Sequence, residues 1–129
     1  MITFNTHGIR GEERPIEKPA NTFRILCLGD SFTLGSEVAD EACYPSVLEQ
    51  LLNKHARDQG DTIRYEVINA GVGRYGTFQE LLYSKEFVIN HNPDLVLLRF
   101  YPNDVRDNIS FQRHWQTLYP DSDTHDICK

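Results

Sequence analysis

The chain is predicted to fold as an α/β domain with a parallel sheet, on three observations. Short apolar runs at residues 23–28, 64–69 and 95–101 each stop at a glycine or an Asn-Asp turn. Two segments with apolar residues at helical spacing lie between those runs. The links are short. A strand-helix-strand-helix-strand order with short links is satisfied by parallel strands and right-handed crossovers.

The elements follow in chain order. Residues 1–22 are polar, carry Gly and Pro, and read as an extended lead-in with little structure of its own. The first strand, Phe23-Arg24-Ile25-Leu26-Cys27-Leu28, is short, rich in β-branched and aromatic residues, and lacks a helical period, as a buried parallel strand does. It ends abruptly in Gly29-Asp30-Ser31, and residues 32–40 read as a loop. Tyr44-Pro45 opens a helix to about Arg57, with Val47, Leu48, Leu51 and Leu52 on one face. Gln59-Gly60-Asp61 stops it. The second strand runs into Asn69-Ala70-Gly71. Thr77, with Glu80 three residues on, has the pattern of a capping box. The helix it starts extends to about Asn90 and turns Leu81, Leu82, Phe87 and Val88 to the sheet. Asn92-Pro93-Asp94 breaks it. The third strand ends in Tyr101-Pro102-Asn103-Asp104. Residues 105–129 show no convincing period beyond one or two helical turns at 113–118, where Trp115 and Tyr119 read as packing residues.

Open α/β sheets bind ligands at the carboxyl ends of their strands. Three strands here end in Ser31, Gly71 and Asn103: a hydroxyl, a backbone N–H and a side-chain amide. Acyl transfer through serine needs a nucleophile and donors aimed at the developing oxyanion. The plainer reading is a turn in which Asp30 and Ser31 cap the next helix.

In this order the three blocks resemble the SGNH (GDSL-type) hydrolase family over roughly residues 23–108. The resemblance implies a three-layer α/β/α flavodoxin-like sandwich covering residues 23–129, incomplete at its C-terminal side. It implies Ser31 as nucleophile, with the Ser31 and Gly71 N–H groups and the Asn103 amide as oxyanion hole. Residues 5–11 are similar to lead-ins of bacterial members, which points to further sequence upstream. Two departures stand out. Tyr101 occupies the position of the third block's usual glycine, and the family's DxxH block does not occur. Asp121 and Asp123 lie four and two residues before His125. The expectation is therefore an N-terminal portion of a longer hydrolase, or a shortened protein that pairs its open sheet edge with a second copy.

His55 and His91 read as structural residues near helix C-termini. His114 and His125 remain as bases, with His125 preferred because Asp121 or Asp123 could orient it. The reading is a serine hydrolase of carboxylic esters, its substrate a small-molecule or carbohydrate ester, with no cofactor and no metal. The alternatives are a carbohydrate O-acetyltransferase or deacetylase, and a non-catalytic binding module that lacks the base. Gly71, Gly73 and Gly76 follow the second strand and not the first, which speaks against a dinucleotide site.

With 129 residues there is room for one core, and 40% hydrophobic and 25% charged residues fit a globular domain. A net charge of −6 with scattered Lys and Arg argues against nucleic acid as partner. Cys27, Cys43 and Cys128 have neither disulfide nor zinc spacing. No run is long enough to span a membrane and no apolar leader is seen, so a cytoplasmic location is the default expectation.

Overall fold

The structure, a computed structural model, describes residues 1–120; the Phe87 side chain lies outside the described set. The sheet has three parallel strands, β1 (Thr22–Gly29), β2 (Arg64–Gly71) and β3 (Leu95–Leu98), in the order β2-β1-β3. Thr22 pairs with Arg64 and Gly29 with Gly71, while Ile25 pairs with Leu95 and Leu28 with Leu98. This order is the beginning of the flavodoxin-like arrangement, whose switch point falls between β1 and β3.

Strand alternation sends the β1 side chains to two cores. Leu26 and Leu28 join Ile68, Ala70, Val88 and Ile9 on one face, with Tyr83 packed against them. Ile25, Cys27 and Val67 join Tyr44, Leu48, Leu52 and Leu97 on the other. Helix α2 (Tyr44–Gln59) covers the second face; α3 (Thr77–Tyr83) and the π-helical turn at Ser84–Val88 cover the first. The three-layer expectation thus holds. Burial pushes the Cys27 thiol up to about 11, in keeping with its role as a small apolar core residue. Cys43 is also a buried free thiol; Cys128 lies outside the described residues. Among those residues no helix is long and apolar enough to cross a membrane.

Several local expectations change. Only Leu48 and Leu52 of the expected α2 face pack inward; Val47 and Leu51 are exposed, because the sheet covers a narrower stripe. Leu81 is exposed and Glu80 takes the buried place. Gly76, not Thr77, is the N-cap of α3, and its N–H donates to Gln79 Oε1 at 3.1 Å. The residues around 32–34, read as loop, form a one-turn helix α1 (Ser31–Leu34).

The largest difference is α4 (Asn103–Leu118), a 16-residue helix where no convincing period was visible. Its Phe111 ring packs 5.5 Å from Phe78, and Trp115 and Tyr119 extend the aromatic row. Asn108 of α4 accepts from the Phe78 N–H at 3.1 Å and donates to Thr77 Oγ1 at 2.7 Å. A residue 31 positions away therefore helps to cap α3. Strand β3 is shorter than expected because the chain turns at once into α4: the Tyr101 N–H donates to Asp104 Oδ2 at 2.8 Å. β3 is also an open edge, with Leu95, Val96 and Leu98 exposed.

The lead-in has more structure than its composition suggests. Phe4 bridges Arg10, and Arg10 bridges Asn69 beside β2; Ile9 and Arg10 are buried. Further on, Pro15 and Ile16 offer carbonyls to Arg24, whose fully buried guanidinium also reaches His91 O and the buried Glu66 carboxylate at 2.8 Å. Lead-in, β1, β2 and the turn before β3 meet on that one cation.

Candidate active site

The Gly29-Asp30-Ser31 turn follows from sterics. Gly29 has φ +154°, and a Cβ there would lie 2.0 Å from Thr33 Oγ1, so only glycine fits. Asp30 is the N-cap of α1: its Oδ1 accepts from the Phe32 N–H at 2.9 Å. Ser31 is then the first helical residue, half-buried, at the carboxyl end of β1. The turn reading and the presented serine are the same geometry.

Asn103 begins α4 just past β3, on the other side of the switch point. Ser31 and Asn103 line one pocket of about 520 Å³ with Asp30, Phe32, Arg74, Tyr101, Arg106 and Asp107. Asn103 Nδ2 donates to Asp30 Oδ2 and to Asp107 Oδ2, both at 3.0 Å. Both amide hydrogens are therefore held by carboxylates, and Asn103 Oδ1 is buried without a hydrogen-bond partner. Turning an amide hydrogen toward the pocket requires release from Asp30 or Asp107; the other Asp107 oxygen lies 3.6 Å from the Arg106 guanidinium.

Gly71 stands behind the pocket. Its N–H donates to Asn69 Oδ1 at 3.1 Å, and a Cβ there would lie 2.2 Å from Leu34 N. Its close approach seats the α1 turn. Gly73 faces Ser31 more directly: a Cβ on it would sit 4.0 Å from Ser31 Cβ. Arg74 beside it holds the left-handed conformation with φ 67°.

A second cleft of about 900 Å³ opens from Ser31 toward α2 and β3 and is lined by Cys43, Tyr44, Leu97 and Arg99 among others. The Tyr101 ring lies tilted against Phe32 with centroids 4.4 Å apart, and Arg99 lies 4.8 Å above the Phe32 ring. Tyr101 thus supplies an aromatic wall. Among the described residues no histidine lines either pocket. His91 is buried, its pKa lowered by desolvation, and its ring meets His7 edge-on at 5.8 Å. His55 and His114 are exposed on α2 and α4. His125, with Asp121 and Asp123, lies outside the described residues.

One support of the serine turn and one buried carboxyl near it were not legible in the sequence. Arg10, from the lead-in, donates to Leu34 O, Gly35 O and Val38 O and pairs with Asp40 at 2.7 Å. Hydrogen bonds from Thr3 and the Arg10 contact hold the Asp40 carboxyl below its ordinary pKa. Arg10→Ala would leave several partly buried carbonyls without a donor. The expected loss is roughly 2–4 kcal/mol in urea unfolding; a change under about 0.5 kcal/mol, the range of an ordinary surface substitution, would show the tether to be dispensable. Glu80, also unexpected, is buried beside Asp104 and Asp30. Burial first, then those two charges, pushes its carboxyl up to about 7.

No protein-family model matches the chain. It is 32% identical over 81 residues to an arylesterase of Vibrio mimicus, a match covering 63% of this chain and 38% of that one. Among solved structures, AlinE4, an SGNH-hydrolase family esterase, is 23% identical, with a TM-score of 0.49 over 79% of this chain and 57% of AlinE4. A second AlinE4 structure, of a mutant, gives 23% identity and the same TM-score. The chain therefore spans less than two thirds of the length of the arylesterase and of AlinE4.

Proposed function

We propose that this chain carries the nucleophile half of a serine ester hydrolase. The reading rests on one observation above others: Ser31, at the end of β1, and Asn103, just past β3, line a single pocket at the sheet's switch point. The arylesterase similarity supports ester chemistry. In the proposed reaction Ser31 Oγ attacks the acyl carbonyl and its proton passes to a histidine. The Ser31 N–H and one Asn103 N–H, released from Asp107, stabilise the oxyanion. Gly71, expected as a donor, contributes by seating α1, since its own N–H is held by Asn69. The proton returns to the leaving alcohol, and water then frees the acid from Ser31. His125 is the base that the sequence favours. The Phe32–Tyr101 wall suits an apolar or aryl portion of the ester. The exposed apolar residues of the β3 edge support pairing with a further strand, from a second copy among others.

The test is a fluorophosphonate probe followed by intact mass. One adduct is expected on the parent chain and none on Ser31→Ala. A folded parent chain that takes no adduct would overturn hydrolysis by this chain and favour a binding module. That second reading has its own support in the two carboxylates that occupy the Asn103 amide.

A further inference from the structure

Three buried carboxyl groups from three elements lie close enough to interact: Asp30, just past β1 and lining the Ser31–Asn103 pocket, Glu80 on α3 and Asp104 in the first turn of α4. Each is at most 1% exposed. Their oxygens differ in what they accept. Asp30 takes the Phe32 N–H and the Asn103 amide. Asp104 Oδ2 takes the Tyr101 N–H, but Asp104 Oδ1 has no partner, and neither do both oxygens of Glu80. Among the described residues, the charged groups that raise the Glu80 carboxyl are Asp104 from α4 and Asp30 just past β1.

Buried acceptors without donors are costly, and like charges crowded together cannot all persist. One proton relieves both, since it removes one of the three charges and supplies a donor for one of the orphaned acceptors. A neutral Glu80 is a hydroxyl donor, and Asp104 Oδ1 is the buried acceptor in need of one.

We propose that Glu80 is a positioning residue that carries a proton in the folded protein and donates it to Asp104, locking α3 to the first turn of α4. Asp104 holds Tyr101, and its neighbour Asn103 holds Asp30, so the lock sets Asn103 in register with Ser31. The catalytic part of this inference rests on the proposed hydrolase reading; the proton lock itself does not. The direction of its pH dependence follows. Burial and the two neighbouring charges hold the folded carboxyl at about 7, above its ordinary 4.5. The folded state therefore binds the proton more tightly than the unfolded state. The stabilisation is complete below about 4.5 and is lost as pH rises through about 7.

The test compares the parent chain with Glu80→Gln and Glu80→Ala. Carbon NMR of the labelled Glu80 carboxyl should titrate with a midpoint near 7, and the Asn103 side-chain amide signals should move with that midpoint. Glu80→Gln, a permanent neutral donor, should keep the stability of the parent at pH 5 and lose the decline in Tm between pH 5 and 8. Glu80→Ala should be less stable at both. If Ser31 reacts with fluorophosphonate, the Glu80→Gln to parent rate ratio should rise about tenfold by pH 8, since about a tenth of Glu80 then keeps its proton. A Glu80 midpoint below about 5, near the ordinary carboxyl value, would overturn the lock. So would a pH slope of Tm unchanged in Glu80→Gln. A normal lock with no Ser31 adduct would leave the lock standing and overturn hydrolysis by this chain. A flat rate ratio with a normal lock would overturn the positioning role.

Discussion

Gly71→Ala is expected to disrupt the serine turn from behind. The added Cβ would lie 2.2 Å from Leu34 N and 2.6 Å from the Thr33 carbonyl carbon, and both are backbone atoms of α1. A side-chain tip could swing aside, but a helical turn cannot do so without displacing Ser31. Overpacking a well-filled site costs about 1–3 kcal/mol. With backbone on the receiving side, the expected loss is about 3 kcal/mol or more, together with loss of Ser31 labelling. Gly73→Ala is the control, because its Cβ would meet only Leu34 Cδ2 and Ser31 Cβ, at 4.0 Å. It should fold like the parent chain. Urea unfolding of both variants decides the matter: equal stability of the two would mean that the β2 end does not seat α1.

Arg24→Leu should be as damaging, for an electrostatic reason. Arg24 is fully buried, and its guanidinium serves Glu66 and the carbonyls of Pro15, Ile16 and His91. Its removal strands a carboxylate that is 2% exposed, with only the surface Arg64 guanidinium, at 4.0 Å, as a cation partner among the described residues. Breaking one side of such a pair costs about 3–5 kcal/mol. That is a large share of the 5–15 kcal/mol that holds a typical domain folded. Arg24→Leu combined with Glu66→Leu should recover much of the loss, because no unpaired charge then remains. A double variant as unstable as the single one would place the cost in the three carbonyls instead.

Much of the frame was legible in the chain. β1 and β2 announce themselves through apolar runs that stop at glycine, and α2 through its spaced leucines and Pro45. The local pattern is strong there because each segment buries its own apolar residues against the sheet. It fails for α4, whose first turn buries an aspartate and whose packing runs through an aromatic row and Asn108. It fails again for Glu80, which sits where a leucine was expected. Buried carboxyl groups and buried arginines carry no period; their partners lie tens of residues away.

The sequence by itself determined the order of elements, the parallel sheet and the three strand ends that carry Ser31, Gly71 and Asn103. These are set within short segments, by strand alternation and by turns that only particular residues adopt. The tertiary structure decided what those residues face. It turned the Asn103 amide to Asp30 and Asp107, put Gly71 behind α1, brought Arg10 to the serine turn and buried Glu80 beside Asp104. Those outcomes depend on contacts closed across the sheet, where buried polar groups take whichever partners the assembled chain brings within reach.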